Sequence, residues 1–232
     1  MTARPKTGRS VECVMQIKEH HAKKYMRLAK QVGEDNNPCY SRHIGVVIVN
    51  PVQHKIVGSG YNGPPRNVPH CDDPDYLREV VFPQLTQTEL AYFHAQQPLE
   101  KIVDMVGSNP EAIEENHCRN FVETAAGCKT CPRKLIGAAS GKRLELCSCA
   151  HAETNAIVNA GQDLAGCVMF CWCGVPCYEC TKLIINSGIK KIYVINWGAD
   201  YSDGSRWLFK NAGVEVEEHL PAYYLEEEKV AA

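Results

Sequence analysis

The sequence predicts an α/β sandwich of three layers, in which a central mixed sheet of five strands lies between helices. Two observations carry this prediction. A β-hairpin is indicated in the first third of the chain, and strands alternate with helices after residue 150. The 232 residues include 44% apolar and 22% charged side chains, which is near the average for globular domains. We therefore expect a single domain over residues 1–232 with a Cys-rich insertion at about 72–129.

The first predicted elements are a helix and a hairpin. Apolar side chains recur at near-helical spacing over residues 11–32, and Gly33 is expected to end that helix. The β-branched run at 44–50 is typical of a buried strand, and 55–59 is predicted to return beside it. The hairpin leads into Gly60-Tyr61-Asn62-Gly63, which on its own is a turn sequence.

The middle of the chain is less regular. Two helices are predicted there, at 76–97 and 110–125, and Pro83 and Pro98 punctuate the pattern. The stretch 128–149 is short, rich in cysteine and interrupted by glycine, so we expect little regular structure in it.

Regular alternation resumes after residue 150, and this part supplies most of the predicted sheet. Helices are predicted at 151–160, 177–186 and 203–211, and strands at 167–173, 191–196 and 214–216. The last residues, 226–232, are expected to form a frayed tail.

Composition argues against several classes of function. The formal net charge is −2, so there is no electrostatic reason to expect binding to nucleic acid polymers or to anionic membranes. The apolar run 44–49 is too short to span a bilayer, and residues 1–10 lack the apolar stretch of a signal peptide. We expect a cytoplasmic protein, in which the 13 cysteines ligate metal or pack as small apolar residues.

Two motifs indicate a catalytic metal site. His151-Ala152-Glu153 begins one predicted helix, and Pro176-Cys177-Tyr178-Glu179-Cys180 begins another. Cys177 and Cys180 are three residues apart, so their thiols share a helix face and can bind one ion. Their place in the first turn favours the thiolate form that zinc requires. With His151 they make three ligands, and the open fourth position is characteristic of catalytic rather than structural zinc.

Glu153 is the candidate proton carrier of this site. Two thiolates and a neutral imidazole cancel the charge of Zn²⁺, so the ion should be a weaker Lewis acid than one held by three histidines. A nearby base is then more necessary. Glu153 is two residues from His151, which suits a carboxylate beside the metal-bound water better than a second ligand.

His-x-Glu followed by Pro-Cys-x-x-Cys resembles the signature of the cytidine deaminase-like zinc enzymes. Gly60-Tyr61-Asn62-Gly63-Pro64, the His-Ala-Glu-x-Asn-Ala-Ile motif and residues 184–192 resemble the deoxycytidylate deaminases in particular. The similarity covers roughly 39–71 and 131–216. It implies the cytidine deaminase-like fold, hydrolysis of dCMP to dUMP and ammonia in pyrimidine deoxynucleotide metabolism, and a homo-oligomer. Zinc-activated water would attack C4 of the cytosine while Glu153 passes protons to the ring nitrogen and the leaving ammonia.

The resemblance also implies roles in substrate binding. Asn62 would hydrogen-bond the sugar 3′-hydroxyl, Ala152 would contact the substrate, and Tyr201 would pack on the base. Arg42 is a candidate for the 5′-phosphate because a guanidinium suits that anion, although an ordinary surface arginine is an equal alternative. Tyr201 is equally compatible with a core or surface aromatic. Allosteric control by dCTP or dTTP is a further implication, with Mg²⁺ accompanying the effector nucleotide.

A second set of cysteines has two interpretations. Spacing alone indicates a self-contained structural zinc site, since 15 residues separate the pair Cys128 and Cys131 from the pair Cys147 and Cys149. The resemblance instead implies a second zinc held by Cys39, Cys71, Cys131 and Cys147, with Cys128 and Cys149 as alternatives. The other cysteines are expected to pack as apolar residues: Cys13, Cys118, Cys167, Cys171 and Cys173.

Two other classes of function remain open. The first is another deaminase with the same core, acting on dCTP, a modified cytosine nucleotide, a free base, a riboflavin precursor or tRNA adenosine. A tRNA enzyme should show clustered basic residues, and the bulk charge argues mildly against it. The second is a multi-zinc interaction module without catalytic activity. It predicts closed sites of four ligands, and the position of Glu153 argues against it.

Overall fold

A mixed five-stranded sheet forms the centre of the protein in the computed structural model, which describes residues 17–36, 38–97, 110–197 and 203–225. The strands are β1 Gly45–Asn50, β2 Lys55–Tyr61, β3 Val168–Cys171, β4 Lys191–Ile195 and β5 Glu215–His219. The α-helices are α1 Glu19–Asn36, α2 Pro74–Tyr76, α3 Gln87–Ala95, α4 Pro110–Gly127, α5 Pro132–Leu135, α6 Ala152–Ala160, α7 Tyr178–Asn186, α8 Asp203–Ala212 and α9 Pro221–Leu225.

The strand order is β2-β1-β3-β4-β5. Strand β1 is antiparallel to both of its neighbours, β2 and β3, whereas β3, β4 and β5 are parallel. The hairpin accounts for the antiparallel β1–β2 pair, β3 pairs antiparallel with β1 after the long intervening region, and the crossovers through α7 and α8 account for the parallel half. The predicted mixed sheet of five strands is therefore confirmed.

Each face of the sheet has its own apolar core, which makes the protein a three-layer α/β/α sandwich as predicted. Alternate residues of β1 point to opposite faces: Val46 and Ile48 join one core, and Val47 and Val49 join the other. The first core lies between the sheet and α6, α7 and α8, and the second lies against α1 and α9. No helix among the described residues is long and apolar enough to cross a membrane.

The region between β2 and α6 has a third core of its own, formed by buried side chains of α3, of α4 and of the turns around them. Its members are Leu77, Val81, Phe93, Phe121, Val122, Ala125, Ile136 and Leu146. Ile136 and Leu146 lie beyond the predicted insertion boundary at residue 129, so this unit continues almost to the start of α6.

The helix predicted at 76–97 is broken into several pieces. A π-helical turn at Leu77–Val81 and a 3₁₀ turn at Phe82–Gln84 precede α3. Thr86 then starts a new helix, because its hydroxyl accepts from Glu89 N–H while the Glu89 side chain returns to the Thr86 backbone. Arg143, near the C-terminal end of this unit, donates from its Nε to Glu89 Oε1 at 2.6 Å.

Other predicted boundaries shift by a few residues. Helix α1 continues through Gly33 to Asn36 rather than ending at the glycine. Gly33 allows close packing there, since a Cβ on it would lie 2.6 Å from Gly45 N. Helix α9 had no counterpart among the predictions. Residues 11–16, Tyr201 and the predicted tail at 226–232 lie outside the described residues.

Helix α6 packs directly onto β2. A Cβ on Gly60 would lie 2.3 Å from Ala156 N and 2.4 Å from Ala152 O, so only glycine permits this approach. Two asparagines one helical turn apart bind the strand as well. Asn155 Nδ2 donates to Tyr61 O at 2.9 Å, and Asn159 Nδ2 donates to Ser59 O at 3.1 Å.

Candidate metal centre and active site

The three candidate zinc ligands lie together where two helices begin. His151 is the N-cap residue of α6, Cys177 is the N-cap residue of α7, and Cys180 lies buried in the first turn of α7. His151 Nδ1 is 3.4 Å from Cys177 Sγ and 3.4 Å from Cys180 Sγ. The three ligand atoms are all within 4.8 Å of one another. The fold thus joins two motifs that are separated along the chain.

The donor set and its spacing fit zinc. A tetrahedral ion with bonds of about 2.3 Å to sulfur and about 2.0–2.1 Å to nitrogen holds such ligand atoms roughly 3.5 Å apart. The observed nitrogen–sulfur distances of 3.4 Å are close to that value. Because this group contains three ligands, a fourth tetrahedral position is left for water or substrate.

Hydrogen bonds among the three ligands shift the pKa values of all three, so that a bound cation could replace the protons they share. Hydrogen bonds from Cys180 and then from His151 lower the pKa of the Cys177 thiol to about 4, although burial opposes this. The same contact raises the pKa of Cys180. The hydrogen bond to Cys177 raises the pKa of His151 to about 8 against the effect of burial. A zinc ion needs both thiolates and a neutral imidazole, so its binding would release these protons.

Glu153 is buried in the first turn of α6, with 4% of its surface exposed. Burial raises the pKa of its carboxyl, while the positive charge of His151 partly opposes the rise. A raised pKa and the exclusion of water suit a carboxyl that both accepts and donates a proton during a reaction.

Asn62 connects the Gly-Tyr-Asn-Gly loop to the start of α6. Its Oδ1 accepts from Ala152 N at 3.0 Å, and its Nδ2 donates to Arg42 O at 3.4 Å. Gly63 and Ala150 form a two-way backbone bridge at 2.8 and 3.3 Å. Asn62 and Ala152, both predicted to contact substrate, are therefore brought beside His151 and Glu153.

Arg42 was predicted to bind the 5′-phosphate, and it lies within the described residues. Arg42 is exposed, and its Nη2 donates to the hydroxyl of Ser140. Its positive charge acts on the thiol of Cys173, on which the Glu153 carboxylate also acts. Arg42 therefore lies near the same site. Tyr201 lies outside the described residues.

Cys173 was expected only to pack in the sheet, but it also borders the site. Cys171 belongs to the first core and Cys173 packs against it. The two thiols hydrogen-bond to each other. The alternation of a strand puts both on the face that carries α6, which explains their nearness to Glu153. Thr154 Oγ1, 3.8 Å from Cys180 Sγ, is another polar neighbour that sequence reasoning missed.

The second cysteine set also converges. Cys149 is in hydrogen-bonding contact with the thiols of Cys39, Cys71 and Cys147. These contacts lower the pKa of Cys39 to about 5 and that of Cys147 to about 6. Cys131 is buried nearby and is affected by the charges of Cys71 and Cys147. Cys128 is exposed and belongs to neither of the metal-ligand groups found among the described residues.

His70 is a further donor in this thiol cluster, and the sequence analysis missed it. His70, Cys71 and Cys149 offer ligand atoms within 4.8 Å of one another. Asp72 Oδ1 lies 2.7 Å from His70 Nδ1, and His70 Nε2 lies 3.8 Å from Cys149 Sγ. A carboxylate on one ring nitrogen commonly orients a histidine whose other nitrogen binds metal. The run His70-Cys71-Asp72 was the available signal, because it places both donor types together.

Comparison with known proteins places the matched region in a family. The sequence model of the family described as "Cytidine and deoxycytidylate deaminase zinc-binding region" matches residues 19–196. Deoxycytidylate deaminase of Schizosaccharomyces pombe is 24% identical over 199 residues, which are 85% of this chain and 43% of that protein. Deoxycytidylate deaminase of Enterobacteria phage T4 is 28% identical over 194 residues, which are 82% of this chain and 86% of that protein.

The extent of these matches differs among the relatives. The chain spans 43% and 42% of the lengths of the relatives from Schizosaccharomyces pombe and Saccharomyces cerevisiae. Among solved structures, dCMP deaminase from the cyanophage S-TIM5 in complex with dCMP and dUMP has a TM-score of 0.49 and 18% identity. That match covers 88% of this chain and 100% of that chain.

Proposed function

Because the chain belongs to the family of the cytidine and deoxycytidylate deaminase zinc-binding region, we propose that it is a zinc-dependent hydrolase converting dCMP to dUMP and ammonia. The observation that carries this proposal is the buried Glu153 beside the convergent group of His151, Cys177 and Cys180. A structural zinc site has no use for such a carboxyl, whereas hydrolytic deamination requires a proton carrier there. The deoxycytidylate deaminases among the relatives support cytosine in a deoxynucleotide as the substrate.

The ligands and the proton carrier have separate tasks. His151, Cys177 and Cys180 would hold the ion, which when bound supplies Lewis-acid activation of water. Glu153 takes one proton from the attacking water as oxygen adds to C4, and delivers it to N3 of the ring. A second proton then passes through Glu153 to the amino group, which leaves as ammonia while C4 becomes a carbonyl.

The substrate would lie against residues that the fold has already fixed. Asn62 is buried and held by Ala152 N, so its amide is oriented before a sugar hydroxyl arrives. This side-chain bond to the first residue of α6 keeps the sugar contact in register with Glu153. Arg42 is proposed to bind the 5′-phosphate, and Tyr201 to pack on the base.

A second zinc in the thiol cluster is part of the proposal. The contacts support four thiols as its ligands: Cys39, Cys71, Cys147 and Cys149. His70 is an alternative ligand, and Cys131 is a further candidate. Cys149→Ser should lower bound zinc from about two ions per chain to about one, since it removes the thiol that contacts Cys39, Cys71 and Cys147 and is grouped with His70. Cys128→Ser is the matched control and should keep both. Equal zinc contents of the two variants would remove Cys149 from the site.

The remaining expectations extend the same proposal. The 12 cysteines of the described region are all free, which supports a reducing, cytoplasmic location. A homo-oligomer, allosteric control by dCTP or dTTP, and Mg²⁺ accompanying the effector are proposed from the family resemblance. Size-exclusion chromatography with light scattering, with and without effector and Mg²⁺, tests these points together.

Ammonia release from dCMP, dCTP, deoxycytidine and adenosine, measured in parallel on zinc-loaded protein, tests the activity. We expect dCMP to be turned over fastest. Glu153→Gln should bind zinc as the unchanged protein does but lose at least about 10²-fold in kcat, because the proton carrier is gone. Full activity of a folded Glu153→Gln variant would refute the mechanism. Faster turnover of dCTP or adenosine would instead move the proposal to another deaminase.

A further inference from the structure

Arg42 is connected to the candidate active site by its backbone and by its charge. Its carbonyl accepts from the Asn62 side chain, and Asn62 in turn binds Ala152 N. A hydrogen bond to a neighbouring thiol, burial and the carboxylate of Glu153 raise the pKa of the Cys173 thiol, whereas the positive charge of the Arg42 guanidinium partly opposes this rise. The Arg42 side chain therefore lies at the edge of the candidate site, and its charge acts on the Cys173 thiol within it.

One partner of this guanidinium comes from a distant part of the chain. Ser140 lies in the loop 137–143, which joins α5 to the third core, and its hydroxyl accepts from Arg42 Nη2. A second contact joins the same two segments, because Lys134 Nζ donates to Tyr40 O at 3.3 Å. Two separate contacts between segments more than 90 residues apart show that the loop is seated against the residues preceding β1.

The loop itself is held in shape. Arg133 Nε donates to Lys142 O at 2.7 Å, and its Nη2 donates to Ala139 O at 3.4 Å, so one guanidinium spans the loop. Gly137 and Gly141 supply the left-handed turns, with φ of 68° and 75°. Ser140 is therefore presented on a braced loop rather than on a free one.

This corner of the molecule is basic although the chain as a whole is not. Residues 129–143 contain five lysines and arginines and no aspartate or glutamate, against a net charge of −2 for the whole chain. Arg143 is paired with Glu89, but Lys134 and Lys142 form no ion pair with a carboxylate within the part of the chain that the structure describes. A concentration of one sign at the rim of a site attracts and orients a ligand of the opposite sign.

We infer that Ser140 is a positioning residue that aims the guanidinium of Arg42 at the 5′-phosphate of the substrate. This inference rests on the proposed function and adds a specificity element supplied by the loop 137–143. A planar guanidinium binds a phosphate through two parallel N–H groups, so its orientation matters as much as its charge. One fixed hydrogen bond to Ser140 sets that plane and reduces the side-chain entropy lost on binding.

The test compares a substrate that has the phosphate with one that lacks it. For Ser140→Ala, KM for dCMP should rise about three- to tenfold with kcat nearly unchanged, as expected for loss of one charged hydrogen bond at an exposed site. Deoxycytidine kinetics should not change. Ser140→Thr keeps the hydroxyl and should restore KM. Ser59→Ala, the same exchange at an exposed serine of β2, is the matched control and should leave both substrates unaffected.

Each outcome decides the inference. An unchanged KM for dCMP in Ser140→Ala, or an equal loss on dCMP and deoxycytidine, would overturn it. If the unchanged protein turned over neither substrate, the proposed function would fail, and equilibrium dialysis with dUMP and deoxyuridine would decide the positioning role by itself. Weaker binding of dUMP alone by Ser140→Ala would support that role, and equal binding of dUMP by both proteins would overturn it.

Discussion

Gly60→Ala should separate β2 from α6 and so disturb the candidate active site. The added Cβ would lie 2.3 Å from Ala156 N and 2.4 Å from Ala152 O, both backbone atoms that cannot rotate away. An ordinary contact requires roughly 3.4 Å, so the helix must move by about 1 Å. Overpacking of this kind costs about 3 kcal/mol of unfolding free energy, at the upper end of the usual range because both neighbours are backbone.

The movement of α6 has a chemical consequence. His151 and Glu153 travel with this helix, whereas Cys177 and Cys180 belong to α7. A misplacement of about 1 Å between reacting groups lowers turnover by about 10²-fold. We therefore expect Gly60→Ala to lose both stability and activity, with part of the activity loss remaining under conditions in which the variant is fully folded.

Urea unfolding and kcat/KM for dCMP measure the two effects. Gly127→Ala is the control, since a Cβ at the end of α4 meets nothing within 4 Å. It should be neutral or more stable by up to about 1 kcal/mol. If Gly60→Ala stayed within about 0.5 kcal/mol of the unchanged protein and kept its activity, the close approach of β2 and α6 would be wrong.

Two further predictions concern ion pairs. Burial raises the pKa of Glu89, but hydrogen bonds from Thr86 and Arg143 lower it more, so its folded pKa lies below the usual value. The loss of unfolding free energy in Glu89→Gln should therefore be complete above about pH 4.5 and should fade as the pH falls through the folded pKa. Urea unfolding that showed an equal loss at every pH would contradict this. Lys191 is buried, with Glu217 at 2.7 Å. Glu217→Gln should lower the free energy of unfolding by about 1–2 kcal/mol, and by more than Lys191→Met does. The first change leaves the buried ammonium without this carboxylate, whereas the second leaves a half-buried carboxylate that water can hydrate. The reverse order in thermal or urea unfolding would refute this.

The sheet and its flanking helices were predictable because each has a strong periodic signal. The run at 44–50, the returning segment at 55–59 and the alternation after residue 150 together predicted all five strands, and each predicted strand overlaps an observed one. The helix predicted at 76–97 failed in detail, since Thr86 forms a capping box that restarts the chain and Pro83 falls in a 3₁₀ turn. Local capping competes there with a periodicity that extends across it.

The candidate site shows a similar division. His151, Cys177 and Cys180 were found from spacing and resemblance, since both motifs begin helices and helix starts place side chains consistently. The contacts of His70 and Ser140 were not predicted, because they depend on which loops meet in space. Spacing within one loop cannot show that residues 39, 71 and 149 converge, as loop closure over such separations leaves no local pattern.

The two asparagines of α6 have a consequence for the physical state of the protein. Tyr61 O and Ser59 O lie on β2, which is an outer strand of the sheet, and Asn155 and Asn159 occupy both carbonyls. An unprotected outer strand is a template for pairing with another chain and so for aggregation. Helix α6 thus shields the strand edge as well as carrying Glu153. Heating or zinc loss that loosens this helix should therefore expose unpaired backbone groups of β2 at the same time as activity is lost. We expect inactivation and precipitation to proceed together.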